Sequence, residues 1–226
     1  MFGKILGGVA AVLLVAALVV GYSFFRTPEE ASQPIEAATP EDTVSAPGET
    51  TYTLVQAESE ARFLIDEVLR GSDFTVVGAT NQVAADLSFS LDDPGSAQVG
   101  TIRVNARTLA TDSEFRDRAI KNRILYPDDY EFVTFTPTEL TGLPDAAVPG
   151  EAFDFQMTGD LTITDVTRPV TFDVTVTPTA AGTLTGSAST TFAYADFSLD
   201  IPASQSVQAV ADELRLELTF TAVEGA

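Results

Sequence analysis

The chain has 226 residues, 45% of them hydrophobic, and carries 12 Lys+Arg against 33 Asp+Glu, a formal net charge of −21, with no His and no Cys. A surface this acidic repels phosphate backbones and excludes nucleic acid as a partner. The missing residue types remove disulfides, thiolate metal sites, cysteine nucleophiles and Ser-His-Asp triads, so composition points to a binding protein, not an enzyme, with no metal or cofactor expected.

Residues 1–26 form the first region. From Ile5 to Phe25 no charged residue occurs, and a helix of that length spans about 30 Å, the thickness of a bilayer core. Lys4 precedes it and Arg26 follows. Counting basic residues places the N-terminus inside and the rest outside the cytoplasm, in the periplasm or at the cell surface. A cleaved signal peptide is the rival, but its apolar core would be shorter, and Val19-Val20-Gly21-Tyr22-Ser23 is a poor cleavage site. A retained transmembrane anchor through residues 5–25 is the expectation. Residues 27–50 hold Pro28, Pro34, Pro40 and Pro47, six acids, no basic residue and no aromatic. Such a segment buries too little apolar surface to fold and reads as an acidic, disordered linker.

Residues 51–226 read as one folded domain dominated by period-two alternation. Less regular strands are expected over Thr51–Val55, Ala61–Val68, Phe74–Gln82, Val99–Asn105 and Tyr130–Leu140. Clean alternation marks Val83, Ala85, Leu87 and Phe89. It recurs at Phe153, Phe155, Met157, Leu161 and Ile163, with Gly159 on the same parity, and at Val170, Phe172, Val174 and Val176. Leu184, Ala188, Phe192 and Tyr194 share a face, as do Leu214, Leu216, Leu218 and Phe220. One dry face and one wet face per strand is the mark of antiparallel sheet. Eight or more such strands predict an all-β, antiparallel closed barrel or a sandwich. The exception is Thr111-Asp112-Ser113-Glu114, which fits a capping box, followed by Phe115, Ala119, Ile120 and Ile124 at helical spacing. One short helix of about three turns is expected there.

Two constellations bear on function. The apolar faces predict an interior lined by Phe63, Leu87, Phe89 and Phe135, by Phe153, Phe155 and Met157, by Phe172, Val174 and Leu184, and by Phe192, Leu216 and Leu218. A barrel of this size is either filled by its side chains or leaves room for one slender ligand. Gly159, Gly186 and Ala188 on the inward parity favour a hollow. The stretch from Arg103 to Arg123 collects six of the domain's ten basic residues. Arg103, Arg107 and Arg116 are the candidates for contact with a ligand headgroup, and pairing with neighbouring carboxylates is the competing reading. Asp92-Asp93, Asp128-Asp129 and Asp212-Glu213 are carboxylate pairs, but adjacency in turns of an acidic chain is not a catalytic geometry.

Several segments in order resemble the YceI-like family of polyisoprenoid-binding, lipocalin-like domains. These are Tyr52-Thr53-Leu54 with Glu58-Ser59 and Ala61-Arg62-Phe63, then Gly78, then Thr108-Leu109-Ala110-Thr111 with Arg116-Asp117 and Ile120. Tyr130 and Phe135 follow, and after them Gly159-Asp160-Leu161-Thr162-Ile163 with Val166-Thr167-Arg168-Pro169-Val170. The similarity runs from about Tyr52 to Ala222. The sequence departs from the family pattern at Glu58, where many members have His, at Glu131, where they have Pro, and at Asp165, where Gly is common. The resemblance implies a lipocalin-type barrel that encloses a long isoprenoid chain, a quinone tail or a polyprenyl phosphate, in a secreted or periplasmic protein. The resulting expectation is a membrane-tethered, extracytoplasmic carrier of an isoprenoid lipid or quinone. The alternative is a tethered β-domain that contacts other proteins without a ligand.

Overall fold

Alternation of apolar and polar side chains sets the architecture, because each strand buries one face and wets the other. The computed structural model describes residues 49–201 and 207–225. The expected membrane helix at residues 5–25 lies outside the described residues, as does nearly all of the linker. Among the described residues no helix is long and apolar enough to cross a membrane.

The described strands are β1 (Thr50–Leu54), β2 (Glu60–Leu69), β3 (Ser72–Thr80), β4 (Val83–Ala84), β5 (Asp86–Phe89), β6 (Gln98–Val99) and β7 (Ile102–Asn105). After the helical segment come β8 (Phe132–Thr141), β9 (Phe153–Ile163), β10 (Val166–Pro178), β11 (Thr183–Ala193), β12 (Val207–Val210) and β13 (Glu213–Glu224). All pair antiparallel in one strongly curled sheet whose order is β4-β7-β8-β9-β10-β11-β13-β1-β5-β6. The fold is therefore all-β, as expected, but the barrel is not closed by an unbroken ladder between two long strands. The sheet is a strongly curled half-barrel whose edges are linked only by short pairings. The run from Val83 to Phe89 pairs with β7 at its start and with β1 at its end. A two-residue bridge joins Ala79 to Ala110.

The twelve-residue strand β13 forks the sheet. Its first half, Arg215–Thr219, pairs with β2, and its last residues, Ala222–Glu224, pair with β1. β2 in turn carries β3 and β12. Arg70 and Gly71 link β2 to β3 with φ of +52° and +83°, the signature of a turn whose twist matches its flanking strands.

The helical segment differs from its expected start. α1 spans Glu114–Ala119 and continues as a wider π turn over Ile120–Leu125. Ser113, not Thr111, is the N-cap, and its side chain makes no capping bond. The Thr111–Glu114 capping box does not form, because Asp117 takes the part assigned to Glu114. Its Oδ1 accepts from the Thr111 amide and hydroxyl, both at 2.7 Å. Glu114 stays exposed and reaches Arg118 at 3.5 Å. Tyr194, read as the end of a strand, instead opens a 3₁₀ turn over Tyr194–Phe197 that buries Phe197 to 1% exposure.

Candidate functional site

The curled sheet is not filled. A cavity of about 830 Å³ lies between its inner face and the α1–π-turn segment. Leu161, Ile163 and Phe172 form part of its wall from β9 and β10, Leu216 and Leu218 from β13, and Ile120, Ile124 and Leu125 cover it from the helical side. Its two exposed lining residues, Phe115 and Arg70, sit at the start of α1 and at the β2–β3 turn. They mark the end that meets solvent. That end lies toward the start of β13, whereas β1, and with it the N-terminal approach of the chain, pairs with the end of β13.

The residues expected to line the interior divide into three groups. Phe63, Phe135, Met157, Phe172, Leu216 and Leu218 border the large cavity. Leu87, Phe89, Phe153, Phe155, Val174 and Leu184 border only a separate void of about 70 Å³ at the other end. There Phe89 and Phe153 stack with ring centroids 6.2 Å apart, and Phe155 follows at 6.1 Å from Phe153. This end is ordinary packed core. Phe192 borders neither space, and its ring lies 4.7 Å from that of Phe197.

The glycines do not supply the hollow. A side chain on Gly159 would stand 2.8 Å from Phe135 Cζ, and one on Gly186 would stand 2.7 Å from Phe220 Cζ. The Thr136 and Thr175 backbone carbonyls of the adjacent strands lie closer still, so neighbouring backbone and rings already fill those positions. The room comes instead from the sheet's curl and from the helical cover.

Of the three arginines, the structure brings only Arg116 to the cavity. Arg103 belongs to the opposite parity from Ile102 and Val104, which line the wall, and its guanidinium lies 4.3 Å over the Phe132 ring. Arg107 is buried. It donates to Asp128 at 2.5 Å and to the Pro127 carbonyl at 2.7 Å, and so ties the 106–108 turn to the segment after the π turn. Neither borders the cavity. Arg116 donates to Glu67 at 3.2 Å and to Asp112, and its guanidinium lies 5.8 Å from the Phe74 ring centroid.

Sequence reading missed Glu67. It lines the cavity and is only 9% exposed. The signal was present, because Glu67 interrupts the parity of Phe63, Ile65 and Leu69. A carboxylate on a buried face needs a partner, and Arg116 is that partner. Arg62 also borders the cavity, paired with Glu217 at 2.6 Å and Glu60 at 3.6 Å. Both of these wall arginines therefore meet two carboxylates. The remaining wall is overwhelmingly apolar, and among the described residues no cluster of acids suits a metal ion.

The sequence model of the YceI-like domain family matches residues 52–222. No curated protein gives a match. Several solved structures are similar. BcnA of Burkholderia cenocepacia superposes with a TM-score of 0.59 at 19% identity, covering 75% of this chain and 99% of that one. A polyisoprenoid binding domain from Saccharophagus degradans, implicated in plant cell wall breakdown, gives 0.58 at 12% identity, covering 78% and 99%. The YCEI protein of Campylobacter jejuni gives 0.55 at 18% identity, covering 66% and 85%. At these identities the likeness establishes the fold.

Proposed function

The chain belongs to the YceI-like domain family, and on that premise we propose that it binds the apolar chain of an isoprenoid lipid in its large cavity, as a carrier or store and not as an enzyme. The observation that carries this reading is the cavity itself, about 830 Å³ with an almost wholly apolar wall. That volume lies in the range of small-molecule sites. A long hydrocarbon gains roughly 25 cal/mol for each Å² it removes from water, so an apolar chamber binds it without specific chemistry. The lack of His and Cys in the whole sequence agrees with a binding role.

For the polar end of the ligand, the surroundings of Arg116 and Arg62 favour an uncharged group such as a quinone carbonyl, while the exposed Arg70 at the mouth enters no ion pair among the described residues and is the cation open to an anionic group. Arg116 and Arg62 are each already engaged by two carboxylates. A phosphate at either of these two arginines would have to displace one of those acids on a chain of net charge −21.

The proposal includes a membrane anchor through residues 5–25 and a location outside the cytoplasm, both resting on the sequence. The chain would enter the domain at the end away from the cavity mouth. The 24-residue linker, at about 3 Å per residue when extended, exceeds the roughly 36 Å length of an eleven-residue strand, so the mouth is free to turn toward the bilayer.

The test is titration of a long-chain prenol into the purified, delipidated protein. Saturable binding of one prenol per chain is expected, with loss of at least tenfold in affinity for Leu216→Asp, provided that variant keeps the wild-type far-ultraviolet circular dichroism. Equal binding by a folded Leu216→Asp protein would place the ligand elsewhere.

A further inference from the structure

The large cavity and the small void beneath it share four lining residues, Ile102, Met157, Ala188 and Leu218. These come from β7, β9 and β11, alternate strands of the curled sheet, and from β13, where Leu218 pairs directly with Ala188 of β11, and so form one layer across its interior. On the intervening strands β8 and β10, Phe135 and Phe172 border only the large cavity, while Leu140 and Val174 border only the void. Phe135 and Phe172 meet edge to face just above the layer, with centroids 4.9 Å apart. The two spaces are thus separated by a partition one side chain thick.

We propose that this layer is the floor of the ligand chamber and sets the longest apolar chain the protein accepts, with Met157 and Leu218 as its principal closing side chains. The inference rests on the reading that the chamber takes an isoprenoid chain. A hydrocarbon tail offers nothing polar by which its length is recognised, so only a steric stop distinguishes one homologue from the next. Each further isoprene unit is either buried, with its gain per unit area, or left in water. Below the floor the stacked rings of Phe89 and Phe153 leave only about 70 Å³. Ala188 is the smallest member of the layer and fills little of it. Met157 is 5% exposed, unbranched and adaptable, and faces both spaces. Removing the outer atoms of Met157 or Leu218 joins the void to the chamber. The void is roughly two water volumes, and with the three heavy atoms truncated from either side chain it offers space on the scale of one isoprene unit.

The experiment offers equal amounts of linear isoprenoid alcohols of graded length to the full-length protein stripped of lipid, and identifies the bound fraction by mass spectrometry after gel filtration. Wild type is expected to show an upper cut-off in chain length. Met157→Ala and Leu218→Ala are expected to move that cut-off up by about one isoprene unit, and Met157→Phe to move it down. If a truncation fails to fold, Met157→Phe and Met157→Val carry the test in opposite directions. An identical cut-off in all folded variants that still bind alcohol overturns the ruler and leaves the carrier reading intact. Uptake of no alcohol by any of the proteins overturns the carrier reading, and this inference with it.

Discussion

The ring of Phe63 occupies the position in which a side chain on Gly78, its cross-strand partner, would stand. Phe63 also borders the large cavity. The glycine on β3 therefore makes room for a ring on β2, and the ring supplies cavity wall, an arrangement in which an aromatic covers an otherwise bare stretch of sheet. Gly78→Ala is expected to push the ring toward the cavity and to destabilise the fold by about 1–3 kcal/mol, measured by denaturant unfolding. Adding Phe63→Leu should recover most of that loss. No recovery would show that the strain lies in the backbone and not in the ring.

Arg107 and Arg103 separate a structural from a surface role. Arg107 sits 8% exposed against Asp128, and removing one member of a buried pair leaves the other charge without compensation. Arg107→Ala is expected to cost about 3 kcal/mol in unfolding free energy. Arg103→Ala loses only a surface contact with Phe132, about 0.5–1 kcal/mol. Neither is expected to alter prenol affinity beyond twofold in the folded protein, which titration measures.

Tyr52 governs part of the alkaline limit. Burial first, and the Glu224 carboxylate second, raise its hydroxyl pKa above the ordinary value of 10.0. The folded state therefore favours the protonated phenol. Its contribution to stability is complete below pH 10 and declines as pH rises through the folded pKa, because only the unfolded chain ionises freely. Tyr52→Phe should weaken the fall of melting temperature between neutral pH and pH 11, compared with wild type under matched salt. An unchanged slope would contradict this role.

Glu67 holds the Arg116 guanidinium at the cavity wall at 3.2 Å. Glu67→Gln removes one of the two charges that occupy this arginine. Relative affinity for a prenyl phosphate over the matching prenol should rise about tenfold, the size of one charge-assisted hydrogen bond. Competition binding with the two ligands measures the ratio, and a ratio equal to that of wild type would show that Arg116 does not meet the polar end.

Much of the fold was legible because a strand with one wet face records its orientation at every second residue. Phe153–Ile163 and Val170–Val176 show it without interruption, and both lie within strands of the sheet. The large-cavity residues Met157, Leu161, Ile163 and Phe172 follow from the same parity. Parity does not reveal depth along the strand, so Phe155 and Val174 were indistinguishable from Met157 and Phe172 although they border the other space. Contacts between distant segments were equally hidden. The Ala79–Ala110 bridge is made by backbone groups, and the burial of Arg107 depends on Pro127 and Asp128, some twenty residues away. Phe197 sits in a turn with no periodicity, yet it is among the most buried side chains. Gly159 and Gly186 misled because absence of a side chain says nothing about which neighbour takes the space.

In the proposed carrier, an isoprenoid chain occupies the cavity above the Met157–Leu218 layer. Mass spectrometry of an organic extract from the purified full-length protein, alongside native mass spectrometry of the same sample, tests it most directly. Close to one long-chain isoprenoid per polypeptide is expected, with a native mass larger by that amount. A protein that comes from its cells without any such lipid, and takes none up when offered it, would not be an isoprenoid carrier.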